Sequence, residues 1–388
     1  MNSQNDFLII GGGAIGLSTA YYLAGRGVSV TLVDRHQVGR EASWAGAGML
    51  PPGNSANAQS PEARLRSYSH AIWDQLATDL RERTGIDTGY RRCGSIEVCE
   101  VAERESFQNQ VSEWKSEGVR VESLDRNALE RDVPGLHEKF EHGVYLPDFG
   151  QVRNPRYLKA LLAACQDLGV EVIENAEQLR LSASKSAHIT ASTQSRTFQV
   201  DRICVAAGAW TAGILDSIDV RMPVKPVRGQ MVQLKASKLP FTRVIEQGRR
   251  YLVPRADGLI LVGSTEEHVG FEKCNTSEGV SGLLKFAESI VPELSRAEMM
   301  RGWAGLRPGS PDELPFLGRV PGFDNLFVAA GHFRSGLQMS PGMELLWQTC
   351  CWIANRTSNF PDLRLTESCN CHNGTPGQSL AEIPWTIL

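Results

Sequence analysis

The residues most able to do chemistry cluster near the N-terminus. Gly11-Gly12-Gly13-Ala14-Ile15-Gly16 follows the apolar run Phe7 to Ile10, and Asp34 stands 18 residues beyond Gly16. Glycines at this spacing bring backbone against a pyrophosphate. Gly11 permits the tight turn, Gly13 leaves room for the phosphates, and Gly16 lets helix and strand pack closely. A helix opening through Ala14 and Ile15 would aim its first N–H groups and positive dipole end at that anion. Asp34, followed by Arg35, is placed to accept hydrogen bonds from an adenosine ribose.

The elements that must position these residues are also legible. Leu17 to Leu23 has helical character, Gly25 and Gly27 end it, and Val28 to Val33 reads as a β-branched strand. Strand, glycine turn, helix, strand and acid make a dinucleotide fingerprint, which the glycines alone would not.

Both nicotinamide and flavin dinucleotides use this turn, and the rest of the chain separates them. Arg40 to Leu50 is a small-residue loop, with Ala42, Ser43, Ala47, Gly48 and Met49 able to lie against a flat ligand. Arg202 to Trp210 reads as a buried strand ending in a turn at Gly208. Leu326 to His332 is another, continued by Phe333, Arg334, Ser335, Gly336, Leu337 and Gln338. A helix is expected after them, with Ser340 as N-cap and Pro341 at its first position. An extended FAD needs an N-terminal site for its adenine end and a distant segment for its ring. These segments in this order favour FAD, and the helix N-terminus suits the negative charge of a reduced flavin.

Composition bounds the remaining readings. The chain has 388 residues, with 40 Lys+Arg against 44 Asp+Glu and a net charge of −4. No basic field for nucleic acid is expected, and no apolar run is long enough for a bilayer. Met1 to Ile10 lacks the basic region and long apolar stretch of a secretory leader. Nine irregularly spaced cysteines read as reduced thiols of a cytoplasmic protein. The 37 glycines exceed the ~7% usual in proteins and point to several close backbone approaches.

GGGAIG, VDR, AGML, VAAGAW, VRGQM, RYLVPRADGLILVGST, WAGLRPGSPDELPFLG and VAAGHFRSG occur in this order. Together they resemble the amino-acid-oxidising FAD enzymes, the family of D-amino acid oxidase, sarcosine oxidase and glycine oxidase. They are most similar to the glycine oxidases of bacterial thiamine biosynthesis, over about residues 5–365. The resemblance implies an α/β fold: a doubly wound parallel-sheet FAD-binding domain beside a mainly antiparallel-sheet substrate domain. The expected division is 1–86, 149–220 and 306–365 for FAD, and 87–148 and 221–305 for substrate. Residues 366–388 are polar and aperiodic, and a loosely ordered tail is expected there.

The resemblance also assigns the substrate site. Arg307, in Trp303 to Gly309, corresponds to the family's carboxylate-binding arginine, and a planar guanidinium suits that task. Tyr251 would add a hydrogen bond to the carboxylate, and Arg334 would hold the amine end or close the pocket. Gln178 is placed near the cofactor by resemblance only. Glu266 and Glu267 stand where some relatives carry an apolar pocket residue; they could bind the substrate ammonium, narrow the pocket, or be solvated strand-end acids.

The implied reaction is hydride transfer from the substrate Cα to flavin, giving an imine that hydrolyses to a 2-oxo acid and ammonia, with O2 forming H2O2. It needs the neutral amine, so its rate should rise with pH. No cysteine lies between Cys274 and Cys350, so FAD is expected to be non-covalent. A metal site at Cys369-x-Cys371-His372, with Cys350 and Cys351, is not expected, because the spacing fits no common zinc pattern. Three alternatives stay open: an oxidase, a dehydrogenase serving a quinone or protein acceptor, and a non-catalytic flavin-binding protein. A homo-oligomer and a thiazole-synthesis partner are implied by relatives and not readable from these residues.

Overall fold

A computed structural model of the chain describes residues 5–54, 56–58, 60–183 and 188–345. The expected tail, the Cys350, Cys351, Cys369, Cys371 and His372 group, and 346–365 of the expected FAD domain lie outside the described residues. Two large sheets dominate. The first has six strands in the order Phe316–Arg319, Leu326–Ala330, Val200–Val205, Asn5–Ile10, Val30–Val33 and Glu171–Ile173. Every neighbouring pair is parallel except the edge pair Phe316–Arg319 and Leu326–Ala330.

Both faces of this sheet are covered, which is why its strands read as continuous apolar runs. Phe7 and Ile9 point into one cluster with Leu17, Leu80, Trp73, Tyr157 and Leu161. Those residues come from the helices Ala14–Ala24, Pro61–Thr84 and Asn154–Asp167. Leu8 and Ile10 point the other way, into Leu181, Ile189, Phe198 and Val205. The alternation follows the two-residue period of a strand. Pro61–Thr84 begins where its sequence says: the Ser60 hydroxyl accepts from the Ala63 N–H, Pro61 opens the helix, and Gly85 ends it at φ 71°.

The second sheet has eight strands in the order Glu298–Gly309, Lys225–Lys235, Leu259–Gly263, Arg250–Pro254, Val244–Gln247, Ser95–Val98, His142–Leu146 and Glu122–Asp125. It is antiparallel apart from the parallel pair Val244–Gln247 and Ser95–Val98. The helix Ser277–Ile290 packs Leu283, Phe286 and Ile290 onto one face, against Val232, Leu252 and Val262. The other face presents Met231, Tyr251, Val253 and Leu261 toward the first sheet.

The C-terminal helix differs from expectation. Helical backbone starts earlier, at Gly336–Met339, passes through the 3-10 turn Ser340–Gly342, and is α-helical again over 343–345. The helix expected after Pro341 is therefore present, but Ser340 lies inside the helical run. Ser340 caps nothing: its hydroxyl donates to the Leu337 carbonyl at 2.8 Å and meets the Tyr157 hydroxyl at 2.9 Å. Burial against Tyr157 claimed the group that the sequence pattern assigned to a cap. Among the described residues no helix is long and apolar enough to cross a membrane.

From a buried position, Arg255 ties the end of the Arg250–Pro254 strand to the Arg40 to Leu50 loop and to Gln151 and Val152. It donates to Gln151 Oε1 at 2.7 Å, to the Val152 carbonyl at 3.0 Å and to the Ala47 carbonyl at 2.7 Å. Burial, then the neighbouring Arg153 and Arg91 charges, lower its pKa to about 10, which still leaves it charged at neutral pH. Arg255→Ala is expected to cost about 2–4 kcal/mol by orphaning these acceptors. An unchanged denaturant midpoint would show that the clamp contributes nothing.

Candidate active site

A cleft of about 830 Å³ runs between the sheets, from the glycine turn to the face that carries Tyr251. At its phosphate end Gly11 has φ 112°, and a Cβ there would sit 2.4 Å from the Ala206 carbonyl oxygen. The turn therefore admits no side chain. Gly13 is the N-cap of Ala14–Ala24 and offers no side chain to the helix end. The Ala14 N–H is already bonded to Ser43 Oγ at 3.0 Å, so the serine relays that helix terminus toward the cleft. Asp34 accepts from the Gly12 N–H at 2.7 Å and the His36 N–H at 2.9 Å. Burial raises its pKa, opposed by those two bonds; the remaining lone pairs are available to ribose hydroxyls. Arg35 stacks on Trp210, 3.8 Å from the ring centre.

Gly11, Gly13, Ala14, Ile15, Asp34, Arg35, Ala42, Ser43, Ala47, Gly48, Met49, Gln178 and Gly208 all line the cleft. So do His332, Phe333, Arg334, Ser335, Gly336, Leu337 and Gln338 at the other end. Gly16 does not line it. It lies beneath the turn, where a Cβ would sit 1.9 Å from the Gly11 carbonyl oxygen and 3.3 Å from Ile9 Cγ2. Gly48, at φ 68°, brings its loop within reach of Val152, and a Cβ would fall 2.0 Å from that carbonyl oxygen.

The segments meet one test that a dinucleotide with a flat ring must pass. His332 is buried, its Nε2 has no hydrogen-bond partner, and burial pushes its pKa down to about 3, so it is a neutral ring lining the cleft. Such a buried orphan needs a ligand atom or water. Beside it, the first residues of the Gly336–Met339 helix have N–H groups without intrahelical acceptors.

The substrate-side wall is a row of cross-strand partners. Trp303 pairs with Met231, Met231 with Gly263, Gly263 with Tyr251, Tyr251 with Glu246, and Glu246 with Glu97. Arg307 lies one side-chain repeat from Gly305 on the same face. Its guanidinium lies on Gly229, where a Cβ would come within 2.3 Å of Nη2. It donates to Ser264 Oγ at 2.5 Å, the Thr265 carbonyl at 3.1 Å and the Arg228 carbonyl at 3.5 Å. Burial lowers its pKa, the Tyr251 side chain raises it, and the Arg334 charge lowers it further.

The rim is ionic. Glu266 receives Arg249 at 2.8 Å and Arg334 at 3.1 Å, while Arg334 also donates to the Arg249 carbonyl at 2.8 Å. Burial raises the Glu266 pKa, but the two arginines win and hold it below the usual carboxylate range. Glu267 is held by Arg228 and by Gln230 at 2.7 Å. Neither acid lines the cleft, so neither is a pocket residue of the kind the sequence suggested. The acid that does line the substrate end is Glu246, and motif reading missed it because a lone glutamate in an apolar strand carries no pattern. Its position opposite Tyr251 was the only signal, and it required the register.

The chain matches the FAD dependent oxidoreductase family over residues 6–345. It belongs to that family. A glycine oxidase of Pseudomonas aeruginosa is 35% identical over 336 residues, covering 86% of this chain and 91% of that one. The bifunctional protein ThiO/ThiG of Synechocystis is 36% identical over 350 residues, covering 88% of this chain and 50% of that protein. The crystal structure of glycine oxidase from Geobacillus kaustophilus superposes with a TM-score of 0.85 at 32% identity, covering 92% and 96% of the two chains. These similarities bear out the resemblance, the α/β fold class, FAD as cofactor, and the enzyme class, an FAD-dependent amino-acid oxidase.

Gly16→Ala forces the added carbon into the Gly11 carbonyl and must open the phosphate turn. The purified variant is expected to carry well under half the flavin of the parent, read from the flavin-to-protein absorbance ratio. Full flavin content would show that the turn tolerates the shift.

Proposed function

We propose that this protein oxidises glycine, with sarcosine and small D-amino acids as further substrates, in an FAD-dependent oxidative deamination. The observation that carries the reading is Arg307. Its guanidinium is half-buried in the cleft wall, and among the described residues its bonds go only to neutral oxygens. A half-buried cation with no acid in direct ion-pair contact attracts an anion, and the fork of Arg fits a carboxylate in two bonds. Tyr251 lines the same wall and adds a hydroxyl within reach of that carboxylate. Arg334, anchored to Glu266 and the Arg249 carbonyl, closes the rim.

Bound FAD would supply the two-electron acceptor for the Cα hydride, with O2 as the final oxidant. The residues of this chain supply position. Arg307 and Tyr251 fix the carboxylate, Met231 and the glycines of the row leave a narrow space for Cα, and the neutral His332 with the Gly336 helix end lines the ring side. Glycine, water and O2 then give glyoxylate, ammonia and H2O2. No cysteine among the described residues lines the cleft, which supports non-covalent FAD. The roles of Gly11, Gly13, Asp34, Ser43 and Gln178 at the adenine end belong to the same proposal. The relative that joins ThiO to ThiG in one chain supports delivery of the product to thiazole synthesis.

Arg307→Ala is expected to raise the KM for glycine by about two to three orders of magnitude, since an anchoring charge pair is worth 2–5 kcal/mol. Arg307→Lys should recover only part of this, because it keeps charge without the fork. H2O2 release under air, with glyoxylate trapped as a hydrazone, measures both. Near-normal glycine kinetics in the Ala variant would falsify the assignment.

A further inference from the structure

We propose that Met231 is a positioning residue for substrate binding: its thioether holds the Tyr251 hydroxyl beside Arg307 and releases it when a carboxylate arrives. The inference rests on the amino-acid oxidase reading of the cleft and gives one buried residue of its wall a polar task. Met231 and Tyr251 are both buried, and both line the cleft. The Tyr251 hydroxyl donates to Met231 Sδ at 3.5 Å, a length suited to the larger radius of sulfur. Among the described residues no other protein atom accepts that proton.

The contact is not one that neighbouring strands make by default. Lys225–Lys235 and Arg250–Pro254 are separated by Leu259–Gly263, so their backbones stand about 9–10 Å apart. Met231 and Tyr251 are each the cross-strand partner of Gly263, one on either side. Their side chains meet over that glycine: a Cβ at 263 would lie 2.4 Å from Met231 Sδ and 2.6 Å from Tyr251 Cε2. A side chain there would drive the pair apart.

The same strand carries the contact to the arginine. Past Gly263 the chain continues into Ser264 and Thr265, whose hydroxyl and carbonyl accept from Arg307. The guanidinium lies on Gly229, which precedes Met231 by two residues and shares its face of the sheet. The Tyr251 side chain faces this guanidinium and raises its pKa against burial. The phenol therefore stands between a cation and a sulfur, with its proton directed at the sulfur.

A thioether suits this position because it is a weak acceptor. A phenol at a buried wall needs a partner for its proton while the site is empty. An amide or carboxylate oxygen at 231 would supply one too strongly and compete with the ligand. Sulfur yields to a carboxylate, whose charge makes the stronger hydrogen bond. As the substrate seats on Arg307, the Tyr251 ring stays in place and its O–H turns from Sδ to a carboxylate oxygen. The carboxylate is bound alike before and during hydride transfer, so the contribution falls on KM more than on kcat.

A double-mutant cycle on the FAD-loaded protein tests this, with Met231→Leu and Tyr251→Phe. Leucine keeps the volume, which cores tolerate, and removes the acceptor. The Kd of glycolate, a carboxylate without an amine, is read from flavin absorbance, and kcat and KM for glycine from H2O2 release. Met231→Leu is expected to raise the glycolate Kd and the glycine KM by about 3–10-fold, the scale of one neutral hydrogen bond, with kcat moving less. In the Tyr251→Phe background the same substitution should change either constant by less than about twofold, because no proton remains to be held. Equal effects in both backgrounds overturn the proposal, since Met231 would then act by shape alone. An unchanged glycolate Kd in Met231→Leu overturns it as well. If the Leu variant does not retain flavin, Met231→Gln carries the cycle: its amide oxygen competes for the phenol, so it must weaken glycolate with Tyr251 present and not with Phe, and equal loss in both overturns the proposal. Arg307→Ala separates the underlying reading. If it leaves glycolate and glycine binding intact, the carboxylate site is elsewhere and both readings fall; loss there without a Tyr251-dependent effect of Met231 overturns this one alone.

Discussion

A half-buried guanidinium whose hydrogen bonds go only to neutral oxygens among the described residues organises the cleft. Arg307 can sit in the cleft only because Gly229 leaves its neighbour's space empty and because Ser264, Thr265 and Arg228 offer oxygens that carry no full charge. A carboxylate on any of those elements would cancel the charge and close the site. The nearest acids are diverted instead: Glu266 to Arg249 and Arg334, Glu267 to Arg228 and Gln230. In the proposed reading, a ligand carboxylate supplies the counter-charge that these neutral oxygens do not, which is how a binding site differs from a structural ion pair.

That arginine would be idle without a cofactor at the correct depth, and depth is set by contacts between the sheets. Arg255 holds the Ala47 carbonyl, and the Trp303 indole donates to the Ala45 carbonyl at 2.8 Å. Gly305 makes room for Ala45, whose Cβ lies 2.5 Å from where a Gly305 Cβ would be. Each of these contacts joins the Arg40 to Leu50 loop to a strand of the substrate sheet. The loop thus serves both ligands: one side lies along the cleft and the other is stapled to the wall that carries Arg307 and Tyr251.

Much of the cofactor end was legible because its constraints are local. A turn that must pass backbone within touching distance of Ala206 admits only glycine at position 11, and the next strand must end in an acid. The Ser340 cap failed for the opposite reason. A serine before a proline looks like a helix start, yet the hydroxyl was claimed by Tyr157, which is 183 residues away in the chain. Gly16 holds the turn from below, the close helix–strand packing that its spacing predicts, and does not itself line the cleft.

The substrate end divides in the same way. The sequence pointed to the cofactor through short glycine-bearing segments whose constraints are local. Its family resemblance implied the class of fold and the arginine and tyrosine that do line the cleft. Only the tertiary structure decided which acids line the cleft. Glu266 and Glu267 stand beside the motif but are neutralised by arginines from Lys225–Lys235, the turn at Arg249 and the loop at Arg334. Glu246 stands in no motif and reaches the cleft through register alone, as the partner of Tyr251. Pairing between strands is a long-range choice made by the whole sheet, and no window of the chain contains it.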